Sequence, residues 1–245
     1  MLTALALAGC EALSGCAVAP PPYGSAGAHV LPSQAADSSA TAMNPCSGLS
    51  PREATQLVLI QNLLESGKPY AALAHLDASR MKGNSVDYVR AQILRRIGRE
   101  QEARSLYSSL LKTCLSGVGQ HGLGLVDADA GRLDAAVRHL REARLALPAD
   151  AGIRNDLGYV LLLDGHYRKA QQQFLTALDL SPGKRKAAVN LALALLLNGE
   201  TDRAGQVASL YDISAEKLQT LREQARQMHA RLGAAPVVNP SLQGE

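Results

Sequence analysis

The sequence predicts an all-α fold, a solenoid of about five helical hairpins plus a C-terminal capping helix, and three observations carry that prediction. Composition comes first: of 245 residues 40 are Ala and 40 are Leu, while only 3% are aromatic and none is Trp. Ala and Leu are strong helix formers, whereas the strands of a sandwich or barrel want β-branched and aromatic residues. Next comes a period. Gly67, Gly98, Gly131, Gly165 and Gly199 are separated by 31, 33, 34 and 34 residues, and each is followed five positions later by an alanine: Ala72, Ala103, Ala136, Ala170 and Ala204. Self-similarity at such a spacing is the signature of a repeat architecture. Finally, each glycine follows a leucine-rich segment and precedes a second amphipathic one. That is the place of a helix C-cap in the turn between two antiparallel helices, with the alanine where the two backbones approach most closely.

Charge divides the chain before the repeats begin. All 25 Lys and Arg fall between Arg52 and Arg231, so the first fifty residues contain no basic side chain and only two acids, Glu11 and Asp37. The net charge of +3 is spread along the rest instead of forming a block, which leaves nucleic-acid binding without an electrostatic footprint.

Residues 1–16 read as an export segment. An uncharged run, M-L-T-A-L-A-L-A-G, leads into Cys10, and Leu7-Ala8-Gly9-Cys10 is similar to the lipobox of exported bacterial lipoproteins, in which the cysteine receives a diacylglycerol. Leu13-Ser14-Gly15-Cys16 offers an alternative, but using Cys16 would place the charged Glu11 inside the apolar stretch, so Cys10 is the preferred lipidation site. The missing basic start implies that the first residue is set several positions too late. Nine apolar residues are too few to span a bilayer, and no later stretch is long enough. Residues 17–50, rich in Ala, Ser and Pro and including Pro20-Pro21-Pro22, have no apolar periodicity and read as a disordered tether. Export would place Cys46 and Cys114 where they could pair, or they stand as two free thiols.

The repeats occupy residues 51–232. The fullest unit, residues 151–184, carries Leu157-Gly158, Gly165, Ala170, Phe174, Ala177 and Pro182. The preceding unit repeats this as Leu123-Gly124, Gly131, Ala136, Leu140, Ala143 and Pro148. These residues stand at the small-and-large positions of the tetratricopeptide repeat, which the chain resembles; the aromatic usual at the fourth position is replaced by Arg154 and Gln120. Flanking units keep less of the pattern: Leu94, Gly98, Ala103 and Tyr107 in one, Leu63, Gly67, Ala72 and Leu76 in another, and Leu191, Ala192, Leu195, Gly199 and Ala204 in the last. Degenerate outer repeats suit a solenoid, whose end faces meet water. A last helix with Ser214 as N-cap and Ile213, Leu218, Leu221, Ala225 and Met228 along one side should close the array, ended by Gly233; residues 233–245 read as a disordered tail.

No catalytic constellation emerges. The six histidines show no i,i+4 pairing, so a zinc site is not indicated, and there is no P-loop, no G-x-S-x-G and no dinucleotide fingerprint. Residues 117–122, Gly-Val-Gly-Gln-His-Gly, formally fit part of a phosphate loop, but no strand precedes them and the repeat frame makes them an inter-repeat turn. The chain therefore reads as non-enzymatic, with no cofactor and no metal.

What remains is a surface. The resemblance implies that the first helices of successive hairpins line a concave groove, and in this frame their outward residues are Tyr88, Gln92, His121, Leu125, Asn155, Tyr159, Asn190 and Leu193. Amides, tyrosines and leucines suit an extended or helical peptide. Lys186 and Asn190 stand near positions that clamp carboxylates in some family members, but the full basic set for such a clamp is absent.

Lipobox, tether and hairpins together, with Asn155-Asp156-Leu157-Gly158, Gly165, Ala170, the run 188–194 and Asn198-Gly199, resemble the TadD-type lipoproteins of Flp/Tad (tight adherence) pilus assembly, chiefly across residues 154–208. The resemblance implies a lipid-anchored protein on the periplasmic face of the outer membrane whose protein partner is a secretin or another pilus assembly component. The alternatives are a type IV pilus pilotin and an adaptor for peptidoglycan enzymes or envelope proteases.

Overall fold

The computed structural model describes residues 48–234 apart from 182 and 184, with the side chains of 231–234 left aside. Cys10, Cys16, Cys46, residues 17–47 of the expected tether and residues 235–245 of the expected tail therefore lie outside the described residues. Within them the chain is helical, with no strand, and its helices pair into five hairpins: α1 (Pro51–Glu65) with α2 (Pro69–Ser79), α3 (Asn84–Arg96) with α4 (Glu100–Leu110), α5 (Ser116–Asp129) with α6 (Leu133–Ala146), α7 (Ala151–Leu163) with α8 (Tyr167–Leu180), and α9 (Arg185–Leu197) with α10 (Thr201–Leu210). Helix α11 (Ala215–Ala234) follows and runs one residue beyond Gly233, which does not end it. Ser214 caps it as expected, accepting a hydrogen bond from the Lys217 backbone N–H at 3.2 Å.

The five periodic glycines all make one turn. Each has a positive φ, from +73° to +79°. At each the glycine N–H reaches a carbonyl three residues back, and the next residue's N–H reaches one five back, as in Gly131 N–H to Ala128 and Arg132 N–H to Asp127. This doubly bonded ending satisfies orphan carbonyls of the first helix. A Cβ on any of the five would meet nothing within 4 Å, so left-handed backbone, not lack of space, calls for glycine there. The partner alanines behave as the period predicts: all five are fully buried.

A different set of glycines is selected by space. Residues 117–122 are not an inter-repeat turn; they lie inside α5, and Gly117, Gly119, Gly122 and Gly124 are all buried. A Cβ on Gly122 would fall 2.1 Å from the Tyr107 ring, one on Gly119 would fall 2.9 Å from the Tyr107 carbonyl, and one on Gly124 would fall 2.7 Å from Leu140. Glycine runs favour turns by local propensity, but here two bulky neighbours on α4 and α6 need backbone-to-side-chain contact with α5, and tertiary packing overrides the local preference.

Apolar side chains form three adjoining clusters: one spanning α1 to α3, a second from α3 to α5, and the largest from α5 to α11. Tyr107 and Phe174 are the largest fully buried side chains, each contributing about 2–3 kcal/mol by removal from water. Successive first helices touch one another (α1 with α3, α3 with α5, α5 with α7, α7 with α9), while among the described residues successive second helices do not. The first helices therefore sit on the inner, shorter side of the curve, and the second helices on the outer side.

Candidate protein-binding groove

Three first helices place polar side chains side by side on that inner face. His121 Nε2 of α5 lies 2.9 Å from Asp156 Oδ2 of α7. Neighbouring Asn155 donates from Nδ2 to Asp156 Oδ1 at 3.1 Å, and Asn190 of α9 donates from Nδ2 to Asn155 Oδ1 at 2.9 Å. Lys186 Nζ, on an exposed side chain, stands 3.7 Å from Asp156 Oδ1. Three of the expected groove residues, one from each of three hairpins, are thus joined in a single ladder. Asn155 and Asn190 are only 4% and 8% exposed, and buried amides held this way keep fixed orientations. Burial by itself would push the Asp156 carboxyl up; the His121 hydrogen bond, the nearby charges of His121 and Lys186, and the Asn155 hydrogen bond outweigh it and hold it below its ordinary value.

Sequence reasoning misses Asp156, although a signal for it exists. Nine residues before the turn glycine the repeats carry Val58, Val89, Gly122, Asp156 and Asn190. Two polar residues at a position otherwise apolar or glycine mark a site with its own polar partners.

The remaining expected groove residues divide. Tyr88 and Gln92 of α3 are half-buried; burial raises the Tyr88 phenol against the opposing effect of its hydrogen bond with Gln92, and its ring stands edge-on to Tyr107 with centroids 6.4 Å apart. Leu125 and Tyr159 are also half-buried, Tyr159 packing against the large apolar cluster. Leu193 is a correction. At 2% exposure it is not a groove residue but belongs to the core, in the same cluster as Leu218, Leu221 and Ala225 of α11. The repeat frame places it outward, but α11 packs against α9 and completes a core around it. The residues replacing the usual fourth-position aromatic are also engaged. Arg154 donates to the Pro148 carbonyl at 3.1 and 3.2 Å, and Gln120 Oε1 lies 2.7 Å from His139 Nδ1.

A second polar cluster joins the third hairpin to the second. Asp127, 2% exposed, stands four residues before Gly131, where the other repeats carry Leu63, Leu94, Leu161 and Leu195. Its Oδ1 accepts from Arg104 at 2.5 Å and from Arg132 at 2.8 Å, and His139 Nε2 is 3.5 Å from its Oδ2. Burial works to raise this carboxyl, and the two arginine hydrogen bonds prevail and hold it low. The cluster is a structural ion-pair network fastening two hairpins at the repeat junction, with Arg104, Arg132 and His139 all turned toward the one Asp127 carboxylate.

Cys114 is disulfide-bonded and its partner lies outside the described residues, which removes the reading of Cys114 as a free thiol. Among the described residues no group of three or more His, Cys, Asp or Glu could hold a metal, and no helix is long and apolar enough to cross a membrane.

Comparison with known proteins agrees with this geometry. The tetratricopeptide-repeat pattern matches residues 164–217. A TPR repeat-containing protein of Pseudomonas aeruginosa, PA4299, is 35% identical over 196 residues, 79% of this chain and 80% of that one. Among solved structures, a thermophilic TPR protein of Thermus thermophilus, TTC0263, covers 73% of this chain and 99% of its own with a TM-score of 0.58 at 22% identity. Residues 41 to the end of MamA from Desulfovibrio magneticus RS-1 cover 71% of this chain and 97% of that one with a TM-score of 0.50 at 21% identity. At those identities the two structures show the shared solenoid fold.

Proposed function

The chain belongs to the tetratricopeptide-repeat family, whose repeats build protein-interaction scaffolds, and from that premise we propose that it is a lipid-anchored, pilotin-like chaperone in Flp/Tad pilus assembly. In this reading Cys10 carries the lipid, residues 17–50 act as a tether, and the inner groove holds a segment of an outer-membrane secretin, or of another pilus assembly component, at the periplasmic face of the outer membrane.

The observation that carries the binding part is the ladder formed by His121, Asp156, Asn155 and Asn190. A primary amide has two N–H groups and an oxygen, and the ladder takes one N–H from each asparagine and the oxygen of Asn155. Preorganised amides of this kind bind main-chain groups of a peptide at little conformational cost. Half-buried Tyr88 of α3 and Tyr159 of α7, on the same series of first helices, supply contact area. The pilus assignment is supported by the resemblance across residues 154–208, the stretch that holds most of the ladder.

The test is recovery of partners from detergent-solubilised envelopes. A secretin should be recovered with the wild-type chain and lost with the double substitution Asn155→Ala and Asn190→Ala, while circular dichroism retains the helical signal. Recovery of cell-wall hydrolases alone would overturn the pilus reading. Independently, Cys10→Ser should abolish incorporation of labelled lipid; persistent labelling would move the anchor to Cys16, and a wild-type chain that takes up no label would remove it.

A further inference from the structure

Cys114 is bonded to a cysteine outside the described residues. The chain has four cysteines, so within one molecule its partner is Cys10, Cys16 or Cys46. Cys114 is exposed in the short connection between α4 and α5, one residue before the α5 N-cap, Leu115. That connection is pinned on both sides of the cysteine. The Thr113 hydroxyl donates to the Leu110 carbonyl at 2.8 Å and accepts from the Leu115 N–H at 3.0 Å, and Leu115 packs against the second apolar cluster.

Each hairpin is antiparallel, so α1, α3 and α5 run the same way and begin on one edge of the solenoid. Helix α1 touches α3 and α3 touches α5; packed helices stand about 8–10 Å apart, which puts the starts of α1 and α5 about 16–20 Å from each other. The chain entering α1 is itself held against the solenoid. Leu49 packs against the first apolar cluster, which includes Met81 and Val86, and Ser50 is locked into a reciprocal cap with Glu53. Cys46 precedes Ser50 by four residues. Four extended residues reach about 13–14 Å, and the Cα atoms of a disulfide stand about 5.5 Å apart, which together match the span. Cys16 and Cys10 lie 34 and 40 residues ahead of Ser50. Effective concentration is greatest when a linker matches its span and falls as about the −3/2 power of length beyond it, which favours Cys46 by more than about tenfold.

We infer that Cys46 is the partner, and that the Cys46–Cys114 bond is a staple enclosing the first two hairpins in one covalent ring. As the S–S bond forms, the two thiols give up two protons and two electrons to the disulfide of a thiol–disulfide oxidoreductase, which becomes a dithiol. The inference shares with the proposed function only the oxidising compartment. The ring serves the end of the solenoid that has no closing helix among the described residues. At the other end α11 buries Leu218, Leu221 and Ala225, whereas Val58 and Leu59 of α1 remain 52% and 59% exposed. Terminal units of a solenoid fray first, having a single neighbour, and a bond from residue 46 to residue 114 ties the first hairpin to the start of the third. It also moves the point where the tether leaves the domain from α1 to the α4–α5 edge.

Peptide mapping of the full chain without reduction is the test. Residues 1–51 contain no Lys or Arg, so trypsin leaves all three candidates in one peptide, and Asp-N cleavage before Asp37 is added to separate Cys46 from the other two. Residues 37–52 should be found linked to residues 113–126, and reduction should part them. Linkage of Cys114 to residues 1–36, or to Cys114 of a second copy, overturns the inference. Cys46→Ser should free one titratable thiol at Cys114 and lower Tm by about 10 °C, while Cys16→Ser should change neither. Reduction should speed amide exchange in α1 and α2 more than in α7 to α9; a uniform change would overturn the end-sealing role. Reoxidising the reduced, purified chain with oxidised glutathione makes the linkage independent of export, so its failure and the failure of lipid labelling at Cys10 are separate results.

Discussion

Helices α5 and α9 hold equivalent places in the third and fifth hairpins and fill them in opposite ways. Helix α9 brings its own bulk: Leu191, Leu193, Leu195 and Leu197 are buried among alanines. Helix α5 brings four buried glycines, and the volume comes from its neighbours, Tyr107 and Leu110 of α4, Leu140 of α6 and Leu147 just beyond α6. Intrinsic propensity alone would penalise four glycines by about 4 kcal/mol relative to alanine. That α5 is nonetheless a regular helix shows what the solenoid conserves: total volume at each junction, divided freely between the two helices that meet there.

The largest test of that division is at the Tyr107–Gly122 contact. Tyr107→Ala should lower unfolding free energy by about 3–5 kcal/mol in chemical denaturation, because α5 has no side chain to fill the space. Gly122→Ala alone should cost about 1–3 kcal/mol through overpacking. Combined, the two should cost clearly less than their sum, since each relieves the other; strict additivity would break the shared-volume account.

A smaller effect concerns Asp127, the one carboxylate standing where the other repeats carry leucine. Asp127→Ala should destabilise by about 1–3 kcal/mol, leaving Arg104 and Arg132 with Glu100 alone to pair with. Asp127→Leu removes the same acceptor but restores the apolar contact that Leu94 and Leu161 make, so it should cost less than Asp127→Ala. If both cost the same, the buried ion pairs contribute more than their desolvation.

Acid should expose the same difference between regions. Asp127 and Asp156 are held below the ordinary aspartate value of 3.8 in the folded chain. A carboxyl with a depressed folded pKa contributes stability that is fully present above its unfolded value and is lost as pH falls through its folded value. Glu200, held down to about 2 by hydrogen bonds from Asn198, Gln171 and Arg203, extends that loss to lower pH. Tm should therefore fall steeply below about pH 4, after a smaller loss that begins below about pH 6.5, because burial lowers the His139 imidazole and the unfolded chain binds that proton first. Asp127→Leu should make the fall shallower.

The smallest effect is expected at a turn. Gly131→Ala places a Cβ in open space but at φ +73°, a left-handed strain of about 1–2 kcal/mol. Its cost should remain the same whichever residue stands at position 107 or 140, unlike that of Gly122→Ala.

These two kinds of glycine also explain what can be read in advance. Turn glycines announce themselves by recurrence with the alanine five residues later, so the five hairpins and the closing helix are legible in the sequence. The α5 glycines read as a turn because composition is local, and the side chains that require them stand on other helices. The groove is partly legible for the same reason: His121 and Asn155 share a place ten residues before the turn glycine, while Asp156, one position on and in register with Asn190, gains its role only through three partners, two of them distant in sequence. Leu193 obeys the frame and is still misplaced by it, because a helix outside the repeat, α11, covers it.

Helix α11 also makes the array directional in how it can change length. A duplicated unit inserted between two hairpins would meet on both sides the kind of surface it replaces, and one added ahead of α1 would find Val58 and Leu59 ready to receive it. One added after α10 would have to displace a helix already anchored by the contact of His229 Nε2 with the Leu197 carbonyl at 3.0 Å and by the stacking of its ring on Tyr167. The chain thus carries its own terminator, and lengthening by repeat gain is open internally and at the N-terminal side only.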